Sequence, residues 1–335
     1  MKQIYLVLIG VLILTGCTTT TPVGTDQVLN IYSARHYDLD KAIIDAFKQE
    51  TGIRVNVIEG RGDELLERMI REKGNPQADV FITVGAETLS MALTEGLFQD
   101  LDLSSISDVL DPQFYGQKWV AVTKRARILV YDNEKPRPNI ETYHDLTKAE
   151  FAQKILVRSA TSSYNIAMLS AMIQTEGVEQ ALAWADGVVS NFARTPTGND
   201  RDQARAVASK LGDLAIMNTY YLILMENSSD PADREVALRM GVILPENTHM
   251  NLSYVAILNQ SANADHAQKF IDYLLAVEQQ NAFMNDNGEF PVRNDITLNP
   301  TIQSWGEFSV APVNYETLGD VYAQAVMMFD QVKWE

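Results

Sequence analysis

Cysteine is almost missing from this sequence: Cys17 is the only one among 335 residues. That excludes an intramolecular disulfide, and no Cys-x-x-Cys pair exists to build a thiolate metal site. Histidine is scarce as well. His36, His144, His249 and His266 stand at scattered positions that do not spell a zinc site, and His144 and His266 read as surface residues. The chain has no glycine-rich phosphate loop closed by Lys-Ser/Thr, no His-Glu-x-x-His and no Gly-x-Ser-x-Gly, so the common nucleotide, zinc-protease and serine-hydrolase signatures are excluded. Basic residues are outnumbered, 27 against 44 acidic, for a net charge of −17. A surface this acidic repels nucleic acid and anionic headgroups. It is compatible with cation capture without showing it. After residue 20 no apolar run is long enough to span a bilayer.

The N-terminus is different. Lys2 supplies a positive start, residues 4–14 are almost wholly apolar, and Leu14-Thr15-Gly16-Cys17 follows. The run is too short for a spanning helix and small residues close it, which is the pattern of a secretion signal. Leu-Thr-Gly-Cys resembles a bacterial lipoprotein lipobox. On that resemblance residues 1–17 form the signal, and Cys17 becomes the lipidated first residue of a protein anchored to a membrane in the periplasm or cell envelope. A plain signal peptide with an incidental cysteine is the alternative. Residues 18–27, polar and rich in threonine, suit a tether. Cleavage before Cys17 removes Lys2, leaving 26 basic residues against 44 acidic, or −18.

What the rest contains is globular: 46% apolar and 21% charged residues, over a length comfortable for two domains. Leu29-Asn30-Ile31-Tyr32 reads as a strand, and a helix capped by Asp38 or Asp40 then ends at Gly52. Ile53, Val55 and Val57 alternate as a second strand. Residues 63–73 carry an amphipathic helix, 78–83 a short apolar strand and 86–95 another helix. Strands alternating with helices predict a parallel sheet covered on both faces, with ligands bound beyond the strands' carboxyl ends. The loop holding His36 and Tyr37 lies at that edge. Residues 119–122 and 128–131 read as two strands, with Lys124-Arg125-Ala126-Arg127 between them. Helix and strand then alternate again.

The stretch with the most chemistry is Asn218-Thr219-Tyr220-Tyr221, after the apolar run Leu214-Ala215-Ile216-Met217. Neighbouring side chains on a strand point to opposite faces. Both phenols can meet one ligand only if the backbone leaves the strand there, as at a strand-to-helix turn. Read without context, Tyr220 and Tyr221 are ordinary packing aromatics.

Six stretches change that reading: Tyr32-Ser33-Ala34-Arg35-His36-Tyr37, Ala78-Asp79-Val80-Phe81-Ile82-Thr83, Arg125-Ala126-Arg127, Ser162-Ser163-Tyr164-Asn165, Gly198-Asn199-Asp200-Arg201-Asp202-Gln203 and Asn218-Thr219-Tyr220-Tyr221. With Trp305-Gly306-Glu307-Phe308, their order and spacing resemble the ferric-iron-binding proteins of bacterial ABC transporters, from about residue 28 to the C-terminus. The resemblance implies an α/β periplasmic-binding-protein type II fold, two Rossmann-like lobes joined by a two-strand hinge. It places residues 28–125 plus 253–300 in lobe one and 126–252 plus 301–335 in lobe two, with hinge crossings near 125 and 252. It implies Tyr164, Tyr220 and Tyr221 as ligands from one lobe and Tyr37, with His36, from the other. Arg35, Arg125 and Arg127 match positions that hold a synergistic anion such as carbonate or balance phenolate charge. A glutamate ligand of one branch is missing, since Thr83-Val84-Gly85-Ala86 stands in its place. The chain therefore resembles the tyrosine-rich branch. The partners implied are an ABC permease and, through Cys17, a membrane; the protein is expected to be a monomer.

The chemistry is consistent with this. Fe(III) is a hard cation that prefers oxygen ligands, and its charge makes a bound phenol ionise readily. A same-fold binder of an organic anion, polyamine or thiamine is the first alternative; there the arginines would be primary contacts and the tyrosines mere walls. An enzyme using Tyr220 or His36 as acid or base is the second, with no nucleophile–base pair to support it.

Overall fold

The computed structural model describes residues 27–335. Cys17, its leader and residues 18–26 lie outside the described residues. The chain begins β1 (Val28–Ser33), α1 (Asp38–Thr51), β2 (Arg54–Glu59), α2 (Gly62–Glu72), β3 (Val80–Thr83) and α3 (Ala86–Thr94). α1 ends as expected at Gly52, whose φ of 72° is the left-handed conformation that lets its N–H bond back to Lys48 O. Its start is shifted. Tyr37 is the residue before the first turn, and Asp40 reaches back to accept from the Tyr37 N–H at 3.3 Å.

The long strand β4 (Val120–Asp132) follows. The two strands expected at 119–122 and 128–131 are one, so Arg125 and Arg127 lie inside a buried strand rather than in a linking loop. Burial of both flanks against other strands carries the backbone straight through the basic residues. Then come β5 (Ile155–Leu156), α4 (Ser163–Glu176), α5 (Val178–Val189), α6 (Asp200–Ala208), β6 (Leu214–Asn218) and α7 (Thr219–Glu226). The chain ends with α8 (Pro231–Leu238), β7 (Met240–Ile243), β8 (Met250–Ile257), α9 (Ala264–Leu274), α10 (Val277–Asp286), β9 (Phe290–Pro291), α11 (Pro300–Ser304) and α12 (Tyr322–Val332).

The strand order is β2-β1-β3-β8-β4-β6-β5, with β7 and β9 also pairing β4. β1 is parallel to β2 and β3, and β5 to β6, as the alternation predicts. The sheet is not parallel throughout. β8 is antiparallel to both β3 and β4, and β4 is antiparallel to β6, β7 and β9. The first part of β4, through Ala126, pairs with β8, and the part from Arg127 pairs with β6. A change of partner within one unbroken strand is what joins the two halves. A further connection runs beside β4 and β8: Val310 bridges to Thr248, and the Tyr315 hydroxyl donates to Met250 O at 2.9 Å.

The apolar core does not divide at the lobe boundary. One large cluster includes Leu29, Phe47, Phe81, Phe98, Trp119 and Phe270, and takes in Ala204, Val207, Met217 and Leu222 of the second half as well. A second gathers Leu169, Trp184, Phe329 and Trp334 between α4, α5 and α12. Burying these side chains supplies most of the driving force that holds the elements, about 25 cal/mol per Å² of apolar surface.

Candidate metal centre

Tyr220 and Tyr221 sit at a strand-to-helix turn, the geometry needed for both phenols to meet one ligand. β6 ends at Asn218, α7 begins at Thr219, and both phenols lie on its first turn. The helical backbone turns the two rings toward one side, with centroids 4.1 Å apart. Tyr164 comes from the first turn of α4, and its hydroxyl lies 3.2 Å from that of Tyr220. Tyr37 approaches from the loop after β1, its ring edge-on to Tyr220 at 6.2 Å and 77°. Three stretches far apart in the chain thus bring four tyrosines together, one from the β1 side and three from the β6 side. The exposed His36 ring stacks on Tyr37 at 6.0 Å and lies at the mouth of a groove of about 910 Å³ lined also by Arg61, Glu87, Ser163 and Tyr322.

Two buried carboxylates hold this arrangement. Asp200, fully buried, accepts from Arg127 Nη1 at 3.1 Å and from the Asn218 N–H at 2.8 Å. Arg127 Nη2 in turn donates to Asn165 Oδ1 at 2.5 Å, next to Tyr164. One carboxylate therefore ties the start of α7 to the start of α4. Arg158 reaches the same Asp200 at 3.4 Å. Glu289, the second carboxylate, is also fully buried and accepts from both terminal nitrogens of Arg35 at 2.9 Å.

A sequence profile describing the bacterial extracellular solute-binding proteins matches residues 42–310. The chain belongs to that family. It is 36% identical to iron uptake protein A1 of Synechocystis over 99% of this chain and 96% of that protein. It is 26% identical to the major ferric iron-binding protein of Neisseria gonorrhoeae, over 90% of this chain and 89% of that one. Among solved structures, a ferric binding protein from Campylobacter jejuni superposes with a TM-score of 0.82 at 38% identity, covering 91% of this chain and 99% of that one. A Trichodesmium protein solved in complex with iron and citrate ligands gives 0.85 at 36% identity, covering 92% and 100%. The fold is the type II periplasmic-binding-protein fold, two Rossmann-like lobes joined across β4 and β8.

Within this solute-binding protein burial favours the neutral hydroxyl at Tyr37, Tyr164 and Tyr220. Burial pushes the Tyr37 and Tyr164 hydroxyls up, and Arg125 partly offsets this at both. Burial pushes Tyr220 far above the tyrosine range, with Tyr164 and Tyr37 adding to the effect. The cationic side chains differ in what they are free to do. All of Arg35's nitrogens donate within the protein, to Asp40, Thr123, Ser253 and Glu289, so none is left for an anion. Arg127 is paired with Asp200 and Asn165. Arg125 is different. It is fully buried, its nearest carboxylate oxygen stands 3.8 Å away on Glu289, and among the described residues nothing accepts from its Nε, Nη1 or Nη2. A buried cation with idle donors near Tyr37, Tyr164 and Tyr220 is the arrangement that an anionic ligand set would complete.

Sequence reasoning missed Glu289, Asp200, Arg158 and Arg201. Arg158 lies over the Tyr164 ring at 5.4 Å and Arg201 over Tyr221 at 5.7 Å. Asp200 and Arg201 stand inside a stretch singled out as a motif, so their neighbourhood was legible. Glu289 carries no local signal. Of the four histidines, His266 is half-buried, with Nδ1 3.3 Å from Val28 O.

Proposed function

We propose that this solute-binding protein captures Fe(III) between its lobes, as the extracytoplasmic component of an ABC importer for iron. The observation that carries the reading is the convergence of the Tyr37, Tyr164, Tyr220 and Tyr221 rings. Among the described residues no cluster of three or more His, Cys, Asp or Glu side chains offers a competing metal site. Phenolates are hard donors suited to a hard trivalent cation, and three of them neutralise it. His36 is a candidate fifth ligand from the mouth of the site. Arg125 is the group placed to hold a synergistic anion such as carbonate, because its donors are idle; Arg35 and Arg127 serve the framework.

The lobes are residues 28–125 plus 253–300 and residues 126–252 plus 301–335. The exchange of β4 partners after Ala126 supports the first boundary. Closure on the metal would hold Tyr37 against the other three phenols in the arrangement seen here, and a permease would receive the closed form. The protein works as a monomeric binder without turnover, anchored to the membrane through lipid on Cys17.

Metal analysis and a visible spectrum, taken after ferric citrate is added to stripped protein, test the central claim. Phenolate–Fe(III) charge transfer gives an orange to red product with one iron per chain. A colourless protein without ferric affinity at neutral pH removes the reading in favour of an organic anion held by Arg125.

A further inference from the structure

Tyr37 is the only tyrosine of the centre contributed from the β1 side, and it stands at the head of α1 in a loop. A loop phenol is a poor metal ligand unless something fixes it. Its own backbone N–H is held by Asp40 at 3.3 Å, and Asp40 is held by Arg35 Nη2 at 2.9 Å. Arg35 Nη1 donates to Thr123 on β4 at 3.0 Å and to Ser253 on β8 at 2.6 Å. The remaining partner is Glu289, which also accepts from Thr123 Oγ1 at 2.7 Å and from Asn287 Nδ2 at 2.7 Å. Arg35 and Glu289 are both buried, with side-chain exposures of 2% and 0%. The chain of contacts runs from the two strands that join the lobes, through this ion pair, to the residue that carries the phenol.

We infer that Glu289 is a positioning residue of the metal centre: with Arg35 it locks the Tyr37 loop to β4 and β8, so that bending between the lobes moves Tyr37 as a rigid part of the hinge. The inference rests on the ferric reading above. Its physical basis is that a fully buried ion pair with every partner in place is stiff, while either half alone is not. Arg35 without Glu289 keeps Asp40 and the two hydroxyls but loses its bidentate anchor.

The test is a double-mutant cycle on the full chain with Fe(III) supplied as ferric citrate. Glu289→Gln keeps the size and removes the bidentate anchor. Ferric affinity is expected to fall on the order of tenfold, as couplings between contacting groups allow. The charge-transfer band should move as it does in Tyr37→Phe. The double variant should lose little more than Tyr37→Phe alone, whereas losses with Tyr164→Phe should add. Glu289→Asp should restore part of the affinity. Unchanged or tighter iron binding in Glu289→Gln, or losses that add with Tyr37→Phe, overturns the inference. Should Glu289→Gln fail to fold, Ser253→Ala and Thr123→Val each remove one hydroxyl from the same network, and the same non-additivity with Tyr37→Phe is expected. A readout without iron separates this inference from the ferric reading. With 3-fluorotyrosine incorporated, the Tyr37 fluorine resonance should shift or broaden in Glu289→Gln while that of Tyr164 stays in place. No change at Tyr37 overturns the positioning role whether or not the protein binds iron.

Discussion

The Tyr164 and Tyr220 hydroxyls lie 3.2 Å apart although 56 residues separate them in the chain. Without metal, one phenol donates to the other. With a hard cation between them, both oxygens would become donors to one ion, so on the proposed ligand set this contact already sets their spacing.

Phenylalanine substitutions at Tyr220, Tyr221, Tyr164 and Tyr37 keep each ring and remove only its oxygen. Each true ligand should cost more than about tenfold in ferric affinity, since groups one shell further out already cost that much. The charge-transfer band should shift or fade, with little change in the melting temperature of stripped protein. A Tyr220→Phe protein that keeps its iron would make Tyr220 a wall. His36→Ala ranks the fifth position by the same spectrum.

Acid should release the metal before it unfolds the chain. The Tyr37, Tyr164 and Tyr220 phenols are shifted upward by burial, so in stripped protein each is protonated at neutral pH, and binding expels one proton per phenolate formed. Affinity therefore rises with pH and falls as protons return. The Glu289 ion pair outlasts this: burial alone would raise its carboxyl, but Arg35 outweighs burial and holds it at about 2. A group with a depressed folded pKa gives stability that is present above its unfolded pKa and lost only as pH falls through the folded one. Absorbance and circular dichroism followed down one titration should lose colour first; simultaneous loss would contradict this order.

His249 gives stripped protein a second pH dependence. It is buried, its Nε2 faces Asn251 Oδ1 at 3.4 Å, and burial with the nearby Arg127 charge lowers its pKa to about 3. Between its ordinary value and about 3 the unfolded chain binds the proton and the folded chain does not. Stability should fall as pH drops through that window, by up to about 1.4 kcal/mol per pH unit. His249→Gln should flatten the slope in urea titrations; an unaltered slope would place the effect elsewhere.

Iron should make the protein more compact in small-angle scattering, because the proposed ligand set takes Tyr37 from one lobe and Tyr164, Tyr220 and Tyr221 from the other. The contact of α3 with residues 318–321 offers a way to block closure without touching a ligand. A Cβ on Gly319 would lie 2.6 Å from Ser90 Cβ and 3.0 Å from Glu87 Cα, closer than such atoms approach. Gly319→Ala should weaken iron binding and leave the loaded form less compact. Identical profiles for stripped and loaded wild-type protein would mean that one lobe does all the binding.

Cys17→Ser should release soluble protein or leave an uncleaved precursor. Mass spectrometry of the wild-type protein should show lipid on Cys17, with more than one acyl chain, because a single chain anchors only marginally. An unlipidated Cys17 would leave only the secretion signal.

The local punctuation of the chain was legible because it depends on neighbours in sequence. Gly52 ends α1, the apolar run before Asn218 is β6, and two adjacent phenols at its end demand the turn that α7 provides. The motif order likewise pointed to Tyr37, Tyr164, Tyr220 and Tyr221, and the folded chain brings their rings together. The antiparallel run of β4 and β8 was not legible, because strand direction depends on which distant strand is the partner. Nor could the sequence rank its arginines. Arg35, Arg125 and Arg127 are chemically equal in a string of letters. Glu289, 254 residues from Arg35, and Asp200, 73 from Arg127, decide which charges are spent on the framework and leave Arg125 with idle donors. Such pairings depend on burial and distance, which exist only once the chain has folded.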